Sequence, residues 1–232
     1  MKKLKIPSNL TSLAYDSIKR YILDGRLDEG VRLTEEFLST SLGISKSPIR
    51  EALNRLEAEG FIHIEPRRGA YLQDVSTADI NELYDLRNAL ETHVVLTLKL
   101  SPELMEELKQ SVRRMRKHLK DHDKAHYIEE DIHFHAKLAN ATGNGRLCRT
   151  LENVQNQIWI FRRKTYDLSS STAAESHEAI VRALEAGARP RAANAMSEHI
   201  NTVRRKLVEF LEQRDSQKPR ESDEPGLADR TM

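Results

Sequence analysis

The sequence predicts a mainly α fold: an N-terminal winged helix-turn-helix followed by a C-terminal antiparallel bundle of about six helices. Three observations predict it. Apolar residues recur at helical spacing along most of the 232 residues. The period changes once, where Phe61-Ile62-His63-Ile64 and Ala70-Tyr71-Leu72-Gln73 make two short β-type runs around the turn Glu65-Pro66-Arg67-Arg68-Gly69. After Ser76 only helical periods follow, joined by short breaks, and such helices pack as antiparallel neighbours.

Residues 1–8 are expected to form a disordered arm, 9–75 the winged helix-turn-helix, 76–214 the helical domain, and 215–232, polar with Pro and acidic residues, a disordered tail. A first helix is expected from about Thr11 to Asp24, with Leu13, Ile18, Tyr21 and Ile22 on one side and Gly25 as its stop. Thr34 is placed to cap a second helix, which Gly43 ends. A third opens at Ser45 to Pro48 and runs to Gly60; Pro48 suits a first turn, where its missing N–H is no loss. In the bundle, Ser76 with Asp79 starts a helix to about Leu98, and Ser101-Pro102-Glu103 another to about Lys120. A third covers about Lys124 to Ala141 and a fourth Asn144 to Tyr166. The Ser169 to Thr172 cluster caps a fifth, ended by Gly187, and Pro190 opens a sixth to about Arg214.

Composition narrows the function classes. Hydrophobic residues are 38% and charged residues 31%, as in helix-rich globular proteins, and the formal net charge is +1. Bulk positive charge therefore does not advertise nucleic acid, and any such site must be local. Cys148 is the single cysteine, which excludes an intramolecular disulfide and a thiolate cluster. The basic start Met1-Lys2-Lys3-Leu4-Lys5 has no apolar core of signal-peptide length after it, and no apolar run approaches membrane-spanning length. A cytoplasmic location and no membrane partner are the expectation.

The segment from Gly43 to Leu53 has the shape of a helix-turn-helix. Gly43 makes the turn, Ile44 packs inward, and Lys46, Ser47 and Arg50 fall on the outward first turns of the second helix. Ile49, Leu53 and Leu56 form the opposite, core-facing stripe. Arg50 is suited to two hydrogen bonds with guanine, and Lys46 and Ser47 to base edges or phosphates. Arg67 and Arg68 at the hairpin tip, with Gly69 allowing close approach, suit a minor groove or its phosphates. The competing reading is an ordinary cationic surface, since acids and bases nearly balance over residues 1–75.

The run Leu33-Thr34-Glu35, Leu38-Ser39, Leu42 through Leu53, Leu56 through Ile62 and Arg68-Gly69-Ala70-Tyr71 resembles the GntR family of bacterial regulators. The resemblance implies a DNA-binding transcriptional regulator, with repression and activation both open, and Thr34, Lys46, Ser47, Arg50, Arg67, Arg68 and Gly69 at the DNA. Members usually carry Arg where Lys46 stands. Residues 77–212 resemble the FadR-like branch, whose sensor is an all-helical bundle called FCD. The matching stretches are Glu82 to Glu91, Asp131-Ile132-His133-Phe134-His135, Leu138-Ala139, Gly143-Asn144, Ser176 to Ile180 and His199-Ile200.

Spacing alone leads to one site in that bundle. Asp131 and His135 are one helical turn apart and share a face. His177 and His199 stand nearly equidistant from Gly187, so an antiparallel hairpin sets them side by side, ~16 Å from its turn. One carboxylate and three imidazoles suit a divalent ion with positions left for water or ligand. Hydrogen-bonded packing histidines are the competing reading; the resemblance implies metal, since many members bind it with this set. Zinc, nickel and manganese all remain open. His133 points away from this face, and His63, His93, His118, His122 and His126 are expected to lack any comparable geometry.

Arg87 shares a helix face with Leu83, Leu90 and Val94, so its guanidinium is expected inside the bundle, where a charge needs a partner. That partner is either a structural carboxylate such as Glu91 or, as the resemblance implies, an anionic effector held by two hydrogen bonds. Arg162 extends the Leu151, Val154, Ile158 stripe toward the same cavity. Asn144 reads as a helix cap, and Arg113 to Lys117 as a solvated face.

The leading expectation is a homodimer that reads a palindromic operator and answers to a small organic acid bound near the metal. The alternative is a metal-dependent hydrolase or lyase using the Asp/His set. Against it, His177-Glu178-Ala179-Ile180-Val181 lacks the second histidine of a zinc protease helix, and the N-terminal domain would go unexplained. A purely structural metal clamp is a third reading.

Overall fold

The computed structural model describes residues 8–27, 31–72 and 76–217, with the side chains of 8, 9, 160–171, 215 and 217 left undescribed. The expected arm lies almost wholly outside these residues, as does nearly all of the expected tail. The elements in order are α1 (Ser8–Leu23), α2 (Glu35–Leu42), α3 (Lys46–Ala58), β1 (Ile62–Glu65), β2 (Gly69–Leu72), α4 (Thr77–Thr97), α5 (Pro102–Lys120), α6 (Lys124–Asn140), α7 (Gly145–Glu185) and α8 (Arg189–Gln217).

Local chemistry sets most of these boundaries. Thr34 Oγ1 accepts the Phe37 N–H and caps α2, whose end is Gly43 at φ 66°. Ser76 and Asp79 form a reciprocal capping box at α4. Ser101 caps α5 with Pro102 in its first turn, and Asn144 Oδ1 accepts from both Arg146 and Leu147 at the start of α7.

Two apolar clusters follow the two halves of the chain. The first joins Tyr15, Ile18, Ile22, Leu38, Ile49, Leu53, Leu56 and Phe61 under the hairpin. On α1 the buried face is Ala14, Tyr15, Ile18 and Ile22; Leu13, expected on it, is 55% exposed. The second cluster runs through α4 to α8, with α7 and α8 packed along each other and α4 against both. Arg189, at the start of α8, donates to the carbonyls of Val95 and Leu98 and so satisfies the end of α4.

β1 and β2 pair antiparallel, with Ile62 opposite Leu72 and Glu65 opposite Gly69. A single bridge from Leu33 to Ala70 ties the start of α2 to this wing. Gly69 is required here for packing: its φ is 121°, and an added Cβ would lie 2.9 Å from the Leu33 carbonyl oxygen. Gly69→Ala is therefore expected to break that bridge and destabilise the N-terminal domain by about 1–3 kcal/mol, read by thermal unfolding.

The bundle corrects one sequence expectation. The fourth and fifth predicted helices are one, α7, and the described bundle has five helices rather than about six. No Gly or Pro stands between Gly145 and Glu185 to interrupt the backbone ladder. The Ser169 to Thr172 cluster costs a continuous helix at most ~0.7 kcal/mol per residue, too little to break it. The length of α7 lets it touch both halves: Trp159 Nε1 donates to the Leu23 carbonyl at 3.0 Å, and Gln157 Nε2 to the Glu59 carbonyl at 2.7 Å. No described helix is long and apolar enough to cross a membrane.

Candidate functional site

The N-terminal half carries a concave face. Thr34, Arg50, Arg67, Arg68 and Gly69 line one cleft of about 490 Å³ between α2, α3 and the wing. Lys46, Ser47 and Arg50 are exposed on α3, while Ile49, Leu53 and Leu56 on its other side are buried. Glu35 holds Arg50 with two hydrogen bonds, to Nε at 2.7 Å and Nη2 at 2.8 Å. These use two of the five guanidinium N–H bonds and leave both on Nη1 and the second on Nη2 for other acceptors. Arg67 sits at φ 67° at the wing tip, and Arg68 pairs with Glu65 at 2.6 Å. Sequence reasoning missed Glu35 as the residue that orients Arg50. It also missed Asn54, exposed one turn beyond Arg50 and lining the same cleft.

The C-terminal half carries a buried polar cluster. Asp131 and His135 on α6, His177 on α7 and His199 on α8 each offer a ligand atom within 4.8 Å of the others, and all four are buried. His177 Nε2 lies 3.3 Å from both Asp131 Oδ1 and His135 Nε2. The ring centroids of His177 and His199 are 4.4 Å apart, as their near-symmetric placement about the hairpin turn requires. Neither ring nitrogen of His199 has a hydrogen-bond partner among the described residues. Burial, then His177, His135 and Arg87, hold His199 well below its ordinary pKa, which keeps its imidazole neutral.

Behind His135 stands a carboxylate. Its Nδ1–H donates to Glu91 Oε2, which turns Nε2 toward the cluster. Glu91 Oε1 accepts from Arg87 Nε at 2.7 Å, and Arg87 Nη2 lies 3.1 Å from His135 Nε2. Burial works to raise the Glu91 carboxyl, but His135 and Arg87 outweigh it and hold it down at about 2. Arg87 thus faces inward, as expected, with Glu91 as its structural partner. The side chain of Arg162 lies outside the described residues.

The remaining sites divide. His133, His63 and His93 are exposed. Asn144 is a cap. The cations of the Arg113 to Lys117 run lie toward solvent, Arg114 paired with Glu130 at 2.8 Å and Arg113 with Glu106 at 2.6 Å, while Met115 among them is buried in the core. One expectation fails: His118 and His126 do share a geometry, converging with Asp123 where α5 turns into α6. Helical periodicity ends at that turn, so spacing along a helix face gave no sign of it.

An unpartnered buried imidazole beside a carboxylate, and a carboxylate-oriented histidine, fit a divalent ion at the Asp131 cluster. Compared with known families, residues 82–202 match the FCD domain and residues 10–72 the bacterial regulatory proteins of the gntR family. The chain belongs to the GntR family. This GntR-family chain is 28% identical over 221 residues to the HTH-type regulator YdhC of Bacillus subtilis, covering 91% of the chain and 96% of the relative. It is 28% identical to a probable D-xylose utilization operon transcriptional repressor of Paenarthrobacter nicotinovorans, covering 83% and 86%. Among solved structures it resembles McbR/YncC of E. coli, with a TM-score of 0.75, 21% identity and coverage of 89% and 99%. A putative GntR regulator from Rhodococcus resembles it equally, with a TM-score of 0.76 and 21% identity over 86% and 97%. This GntR-family chain is a DNA-binding transcriptional regulator and not an enzyme.

Proposed function

We propose that the chain is a homodimeric repressor that binds a palindromic operator through residues 9–75 and is released by a small organic acid bound beside a divalent ion in residues 76–214. Zinc, nickel or manganese is held by Asp131, His135, His177 and His199. The observation that carries this reading is His199, a buried neutral imidazole with both nitrogens unsatisfied among three other ligating groups.

Charge supports the effector class. An imidazole that ligates a metal does so neutral, so with the ion bound Asp131 and Glu91 against Arg87 sum to one negative charge and the divalent ion makes the cluster net positive. His135 Nε2 has one lone pair. Given to the ion, it is lost to Arg87 Nη2, whose N–H then turns to an anion beside the metal. Glu91 keeps Arg87 Nε and His135 Nδ1 in place meanwhile. Relatives named for a D-xylose utilization operon and a gluconate operon support a sugar-derived acid.

Helix α7 carries both ends of the response. His177 belongs to the cluster, while Gln157 and Trp159, ~30 Å away along the helix at their far end, hold the ends of α3 and α1. A tilt of α7 on effector binding changes the spacing of the two DNA-reading helices in the dimer.

Thr34, Lys46, Ser47, Arg50, Arg67, Arg68 and Gly69 face the DNA in this reading. Arg50→Ala is expected to weaken operator binding by about 1–3 kcal/mol, roughly five- to 150-fold, and to relax preference at one base pair. Fluorescence anisotropy on DNA from upstream of the chain's own operon measures this. A purified protein that shifts no such DNA, with or without candidate acids and metal, overturns the reading.

A further inference from the structure

A second group of ligating side chains lies outside the Asp131 cluster. His118 is in the last turn of α5, Asp123 caps α6, and His126 is in the first turn of α6. The chain reverses between them at His122, whose φ is 55°. Asp123 divides its two oxygens: Oδ1 accepts the His126 N–H, while Oδ2 lies 2.7 Å from His126 Nδ1 and 3.8 Å from His118 Nδ1. The two imidazoles stack across it, with ring centroids 5.5 Å apart and planes 20° from parallel. One ligand atom from each of the three lies within 4.8 Å of the others.

We propose that His118, Asp123 and His126 form a second, solvent-facing site for a borderline divalent ion such as zinc or nickel. At metal–nitrogen distances of about 2.0–2.1 Å, tetrahedral ligands stand about 3.3 Å apart, so side-chain rotation alone closes this set. Two imidazoles with one carboxylate select such ions over calcium and magnesium, which take oxygen ligands. Capping by itself accounts for Asp123 Oδ1 and for neither imidazole. The side chains are 22%, 37% and 65% exposed for His118, Asp123 and His126, so water completes the coordination and the ion exchanges freely. This separates it from the Asp131 cluster, whose four side chains are all buried. The two sites are linked by α6, which begins at this turn and carries Asp131 and His135 on its following turns. An ion here fixes the start of that helix to the end of α5.

The test is zinc uptake by the full-length, tag-free chain, by equilibrium dialysis and metal analysis. The wild-type chain is expected to take up two ions, and the double variant H118A/H126A one. Asp123→Asn keeps a good helix cap and removes the charge, and is expected to weaken the looser site at least tenfold without changing the melting temperature. H177A/H199A is expected to keep one loosely held ion. Because that variant alters the buried core, nickel titrated into the wild-type chain beyond the first equivalent, once the tighter cluster is filled, supplies an independent reading: the imidazole proton signals of His118 and His126 broaden together. Equal uptake and equal looser affinity in wild type, H118A/H126A and Asp123→Asn overturns the proposal, as does nickel broadening that spares both signals.

Discussion

Replacing Arg87 by Met is expected to destabilise the metal-free helical domain by about 3–5 kcal/mol. Arg87 and Glu91 are each 1% exposed, and their hydrogen bond is 2.7 Å long. Removing the guanidinium takes away one of the two partners that hold the buried Glu91 carboxyl down at about 2, and leaves His135 alone against burial. The cost is the desolvation of that abandoned charge, and not merely the loss of one bond. For a chain of this size the change corresponds to roughly 10 °C in melting temperature. The double variant R87M/E91Q is expected to recover part of the loss, because the introduced amide can still accept from His135 and carries no charge into the core. Denaturant unfolding of both single variants and the double closes the cycle. Strict additivity would mean that the two side chains do not support each other.

How much of this was legible in sequence depends on what kind of spacing carries the information. Caps at Thr34, Ser76, Ser101 and Asn144 were readable because a cap is a local contact over three residues. His177 and His199 were readable because a hairpin converts sequence symmetry into proximity. The Glu91 to His135 bond joins residues 44 apart on α4 and α6, and no periodicity encodes which faces of two separate helices meet. Glu91 therefore appeared only as one of two partners for Arg87. The continuity of α7 was misread because Ser and Thr mark helix starts only when something also stops the helix before them, and nothing between Gly145 and Glu185 does. The histidines at the α5–α6 turn were missed for the converse reason: their proximity depends on the left-handed reversal at His122, which helix-face reasoning does not reach. Leu13 was placed on the core face of α1 by apolarity, while the smaller Ala14 is buried beside Tyr15 in its stead.

His199→Ala is expected to lower zinc or nickel affinity of the buried cluster by at least a hundredfold while leaving the metal-free fold nearly as stable as the parent. The two expectations have separate causes. His199 contributes no hydrogen bond within the described structure, so truncating it removes two buried nitrogens without partners, each a cost of about 1–3 kcal/mol to the native state. That gain offsets the lost packing against His177 and His135. Metal binding, in contrast, draws on every ligand. In the parent chain an ion at a thousand times its dissociation constant adds about 4 kcal/mol, and chelator removes it. In His199→Ala, with affinity down a hundredfold, the same ion concentration adds only about 1.4 kcal/mol, so the shift that chelator causes is expected to shrink to about a third or less. Glu91→Gln gives the intermediate case: its side chain still reaches His135 but no longer as a charge, and affinity is expected to fall about 10- to 100-fold. Operator release then distinguishes a sensor from a clamp. If the ion helps to bind the acid, His199→Ala holds its operator in the presence of candidate acids that release the parent. If the ion only ties α8 to α6, acid still releases the variant, and the metal's contribution ends with the melting temperature.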